Sequence, residues 1–100
     1  MLITDSSLLL SNAIEGENVL HIHAFIPIGS LGSTPFALCV SSQSTIQNLN
    51  DLIRVLRTST ASSFGSPGVR TIHHLLADRF LNKIGTTAVH IPYQGGSGML

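Results

Sequence analysis

The chain has 100 residues, 43% of them apolar and 10% charged, with five basic and five acidic side chains and no formal net charge. That length holds one small domain with a modest core, and the scattered charges leave no basic stripe for nucleic acid or an anionic membrane surface. A lone cysteine, Cys39, excludes an intramolecular disulfide framework, no stretch is long enough to span a membrane, and the apolar share predicts burial against something further.

Met1–Thr4 is apolar and reads as a short buried strand, followed by the polar loop Asp5-Ser6-Ser7 and a short helix over Ser7–Ala13. Leu8-Leu9-Leu10 is too short for a signal core, and Asp5 stands where a basic leader would be. Glu15–Asn18 is a turn, and Val19–Ala24 alternates too weakly to separate strand from loop. Phe25–Leu31 reads as a strand begun or interrupted by Pro27, which an edge position tolerates. After the turn Gly32–Pro35, the run Phe36–Val40 predicts a buried strand with Cys39 as a small core residue.

Ser41–Gln47 is polar and linker-like. Asn48 then caps a helix whose apolar residues Leu49, Leu52, Ile53 and Leu56 repeat at three and four, with Asp51 near the positive end. Ser62–Phe64 predicts a strand, and Gly65-Ser66-Pro67-Gly68 a tight turn into an amphipathic helix ending at Ile84. That helix carries Ile72, Leu75, Leu76, Phe80 and Ile84 on one face and stops at Gly85. Thr87–Ile91 is the next strand, Gln94–Gly98 a second glycine turn, and Met99-Leu100 the opening of another helix.

Strand and helix alternate from Phe36 onward, which predicts an α/β fold with parallel strands and crossover helices. Both glycine loops then lie at the carboxyl ends of strands, where open sheets of this class place ligands. Helix N-termini present unpaired N–H groups and partial positive charge, so backbone amides there can hold a carboxylate or phosphate. Gly65, Gly68, Gly95 and Gly96 are the candidates for that role, and Ser66 and Thr71 can cap the helix while touching the same ligand.

Ser63-Phe64-Gly65-Ser66-Pro67-Gly68, the helical His74-Leu75, and Val89-His90-Ile91-Pro92-Tyr93-Gln94-Gly95-Gly96 together resemble the Bug family, the solute-binding receptors of tripartite tricarboxylate transporters. The Pro-Tyr-x-Gly-Gly segment with its upstream helix is the specific part, and weaker likeness covers nearly the whole chain. The resemblance implies a type II periplasmic-binding-protein fold: two α/β lobes around a small organic carboxylate. Residues 1–40 would belong to lobe one and 41–100 to lobe two, both incomplete, so the chain is expected to be a fragment that lacks the rest of its own lobes. Ser6 and Ser7 would face the cleft from lobe one. Gly65, Ser66, Gly68 and Thr71 would form the lobe-two cradle, with His74 and Tyr93 nearby. A periplasmic location and membrane transporter components as partners follow from the same likeness. Val69-Arg70 stands where members carry small residues, and Gln94 where they commonly carry lysine.

Other chemistries find little support in the residues. The five histidines have no spacing of a known metal site. Gly95-Gly96-Ser97-Gly98-Met99 lacks the last glycine of a nucleophile elbow, and no phosphate loop or dinucleotide fingerprint is present. Neither cofactor nor catalysis is expected. The competing reading is a small α/β interaction or self-association domain without a ligand.

Overall fold

A computed structural model of the chain describes residues 2–5 and 24–99, and its regular elements fall between Leu49 and Met99. Local chemistry alone accounts for the start of the first helix, α1 (Leu49–Thr58). Asn48 Oδ1 accepts from the Asp51 N–H at 3.0 Å, and the Asp51 carboxylate accepts from Asn48 Nδ2 at 2.9 Å. One orphan helix donor is thereby satisfied, and negative charge sits at the positive end of the helix. At the other end, the Arg57 Nε–H donates to the Ile84 carbonyl at 3.1 Å, and the Thr86 hydroxyl donates to the Leu56 carbonyl at 2.9 Å. These two bonds fasten the end of α1 to the end of the second helix.

The sheet has two parallel strands, β1 (Ser63–Ser66) and β2 (Val89–Pro92), with Phe64 opposite His90 and Gly65 opposite Ile91. Its ladder runs on at both ends, from the Val89 N–H to the Ser62 carbonyl and from the Tyr93 N–H to the Ser66 carbonyl. The period-two alternation of a strand sends Phe64, Ser66 and His90 to one face. Helix α2 (Ile72–Ile84) lies on that face, where the His74 ring meets Phe64 and His90. Val89 and Ile91 point to the other face and remain 66% and 40% exposed.

Thr71 caps α2, and Gly85 ends it in the left-handed region at φ 73°, with the Thr86 N–H returning to the Leu81 carbonyl. Only a residue without Cβ takes that φ without strain. Gly85→Ala is therefore expected to lower stability by about 1–2 kcal/mol in a thermal melt, although open space surrounds the position.

The core is thin. Among the described residues Leu81 is the one buried apolar side chain and Ser66 the one buried polar one. Of the apolar face expected of α2, Ile72, Leu75, Phe80 and Ile84 are half-buried as expected, whereas Leu76 is 41% exposed on a solvent stripe with His73, Arg79 and Lys83. His74 and Leu81 also turn inward, His74 against the Phe64 and His90 rings of the sheet.

The amino-terminal half departs further from expectation. Residues 2–5 and 25–40 form no regular element, so the strands expected over Met1–Thr4, Phe25–Leu31 and Phe36–Val40 are not seen in the residues described. Leu38 is 63% exposed, and Cys39 is exposed rather than a core residue. A strand needs a neighbour to take its ladder bonds, and no described strand lies beside this run; its apolar content alone does not supply one. Phe36 instead sets its ring edge-on to His73, centroids 4.9 Å apart. The helix expected over Ser7–Ala13, the turn at Glu15–Asn18, and Ser6 and Ser7 lie outside the described residues.

Candidate functional site

Parallel pairing brings the two glycine loops to the same end of the sheet. Beyond β1 the chain passes through Pro67–Thr71 into α2, and beyond β2 it passes through Tyr93–Gly95 into a 3-10 turn, Gly96–Met99. The Gly95 N–H points to the Tyr93 carbonyl at 3.1 Å and reaches the Pro67 carbonyl at 3.5 Å, so the two loops touch. Gly95 adopts φ 83°, which its lack of a side chain permits.

The first loop is built differently from its sequence expectation. Gly65 is a strand residue of β1, and neither Gly65 nor Gly68 takes a positive φ. The left-handed position is Arg70, at φ 61°, which costs a side-chain-bearing residue about 1 kcal/mol. Two bonds hold the turn. The Arg70 N–H donates to His74 Nδ1 at 3.1 Å, and the Thr71 hydroxyl donates to the Gly68 carbonyl at 2.9 Å. Gly68 is fitted to its position by space: a Cβ there would meet Thr71 Cγ2 at 3.3 Å.

Ser66 is the hub beneath this loop. Its side chain is buried, at 1% exposure, and its one proton goes to the Gly68 carbonyl at 2.9 Å. The Ser66 oxygen accepts the Gly68 N–H at 3.3 Å, and with its proton engaged it accepts from His90 Nε2 at 2.7 Å as well. His90 in turn stacks on Phe64 at 5.0 Å and on His74 at 3.8 Å with a 16° tilt. Since His74 Nδ1 accepts from Arg70, the His74 proton sits on Nε2, facing Asp78 Oδ2 at 3.3 Å. Burial among these groups, and then the adjacent His74, lower the His90 pKa below its ordinary 6.5 against a smaller opposing pull from Asp78. The stabilising contribution of neutral His90 is therefore complete above 6.5 and is lost as pH falls through its lowered folded value.

Gly65, Ser66, Gly68, Thr71, His74, Tyr93, Gly95 and Gly96 thus surround the carboxyl end of one two-stranded sheet. Their availability to a ligand differs. The Gly68 and Gly95 N–H groups and the Ser66 and Thr71 hydroxyls are already engaged within the chain. The first-turn N–H groups of Ile72 and His73, and that of Gly96, have no partner among the described residues. Tyr93 is 38% exposed, with its Cβ 3.7 Å from where a side chain on Gly98 would begin. Residue types pointed to the loops, whereas the open donors follow from hydrogen-bond geometry that no motif encodes.

Two shallow hollows lie at the far end of the sheet, one of about 100 Å³ lined by Asp78, Leu81, Asn82, Thr86, Thr87 and Ala88 and a more open one of about 430 Å³ against Asn82, Gly85, Thr86 and Thr87. Among the described residues no group of three or more metal-ligating side chains comes together, and no helix is long and apolar enough to cross a membrane.

Comparison with known proteins gives two matches. A family model described as the tripartite tricarboxylate transporter family receptor matches residues 18–100. A UPF0065 protein of Bordetella bronchiseptica is 30% identical over 67 residues, a stretch covering 67% of this chain and 20% of that protein. The chain thus matches about a fifth of the length of that curated relative. No solved structure matches.

Proposed function

The chain belongs to the tripartite tricarboxylate transporter receptor family, and from that premise we propose that it acts in a periplasmic solute-binding receptor that recognises a small organic carboxylate. The observation that carries this reading is the contact between the two loops, each followed by open N–H groups, those of Ile72 and His73 after the first and that of Gly96 after the second. Amides at a helix start can neutralise an acid without an arginine clamp. In the type II fold that the reading invokes, residues 1–40 contribute to one lobe and 41–100 to the other, and lobe closure delivers the acid to the membrane components of the transporter. Ser6 and Ser7 are assigned to the opposite wall of the cleft.

Catalysis has no part in this reading. The buried Ser66 hydroxyl, though within 2.7 Å of an imidazole, has its proton on a carbonyl and is not presented to a substrate.

Each charge-assisted bond contributes roughly 1.5–3 kcal/mol, while association costs about 4–15 kcal/mol. These hundred residues alone are therefore expected to bind succinate or citrate in the millimolar range. The test is a titration followed by amide NMR. Saturable shifts at Ile72, His73, Gly95 and Gly96, with light scattering unchanged, support the receptor. Unmoved loop amides in a chain that forms a defined oligomer would favour a self-association domain.

A further inference from the structure

The stacked imidazoles lie directly behind the loop that the receptor reading assigns to the ligand, and the bond that His74 accepts requires a neutral ring. His74 Nδ1 is the acceptor that holds the Arg70 N–H at 3.1 Å, and Arg70 is the residue in the left-handed turn. His90 Nε2 holds Ser66, whose oxygen fixes the Gly68 N–H. We propose that His74, stacked on His90, is a pH-sensitive latch on residues 66–70, holding the left-handed Arg70 turn while its ring is neutral and releasing it when the ring takes a proton.

The chemistry follows from where a proton can go. On His74 the vacant nitrogen is Nδ1, so a proton there sets two N–H donors against each other and breaks the bond to Arg70. His90 donates to Ser66 through Nε2 whether or not its ring is charged, so its part is to be the surface on which the His74 ring stacks at 3.8 Å. Few charges oppose this. Asp78 faces His74 from the same helix, Arg70 carries its charge in the turn, and Tyr93 is the titratable group that follows β2. Phe64 and the Ser66 hydroxyl face the pair from β1, and His73 is turned away against Phe36. With Arg70 released, its left-handed conformation loses the bond that offsets the strain, and the turn relaxes. The effect on ligand retention rests on the receptor reading, since Ile72 and His73 follow directly on this turn. Acid pH then weakens the grip.

Amide exchange of the whole chain between pH 8 and pH 5, without ligand, tests the latch. The protection factor of the Arg70 amide is expected to fall about tenfold along the same curve as the imidazole signals of His74. In His74→Gln, which can accept the Arg70 N–H but cannot titrate, protection should stay flat with pH. A wild-type Arg70 amide whose protection ignores the imidazole titration would overturn the latch, whatever the variant does. So would an equal fall in His74→Gln. Carboxylate binding alongside a flat Arg70 response would refute the latch and leave the receptor reading standing; an Arg70 response with no carboxylate binding would do the reverse.

Discussion

Leu81→Ala is expected to remove about 2–3 kcal/mol of stability, enough to take a domain this small close to its unfolding threshold at room temperature. Leu81 is the one apolar side chain buried among the described residues, lying between α2 and the hollow bounded by Thr86–Ala88. With no neighbouring core residue to share the load, the cavity cannot be offset by repacking. Leu76→Ala on the same helix, at 41% exposure, should stay within about 0.5 kcal/mol. Thermal melts of both variants by circular dichroism separate the observed burial from the face implied by spacing. Equal destabilisation would mean that the helix is rotated from the position described.

Ser66→Ala carries the second large effect. It removes the acceptor of the His90 Nε2–H and of the Gly68 N–H together, while the Gly68 carbonyl keeps its bond from Thr71. Leaving a buried donor unsatisfied costs roughly 1–3 kcal/mol, so the pair should cost about 2 kcal/mol after partial hydration of the loop. The same change should loosen Gly68 in amide exchange and shift the His90 ring signals. Ser66→Thr should not rescue, because at 1% exposure the added methyl has no room. A variant as stable as the parent, with an unchanged His90, would remove Ser66 from its place at the hub.

Which parts were legible in the sequence follows from how local their causes are. The Asn48 cap with Asp51, the Thr71 cap and the Gly85 stop are decided within one helical turn, and the structure reproduces them. The parallel pairing of β1 and β2 follows from the strand–helix–strand order, and it places the two glycine loops side by side. Phe36–Val40 misled because a strand is defined by its partner, and hydrophobicity says nothing about whether that partner is present. On α2 the spacing placed Ile72, Leu75, Phe80 and Ile84 on the half-buried side but misled at Leu76, which is 41% exposed, and it did not show that His74 packs on the sheet, which a count of apolar residues reads as solvent-facing. Arg70 in the left-handed region and the His74–His90 stack had no signal, since each is fixed by contacts between separate elements.

Adjacency of the loops is what the rest of the account stands on, and it has a direct measurement. An isotope-filtered NOE spectrum of the chain with saturating succinate should show the ligand methylenes close to amides of both loops, at Ile72 or His73 and at Gly96. Contacts to one loop alone, or to the hollows around Thr86 instead, would contradict a carboxylate site formed where the two loops meet.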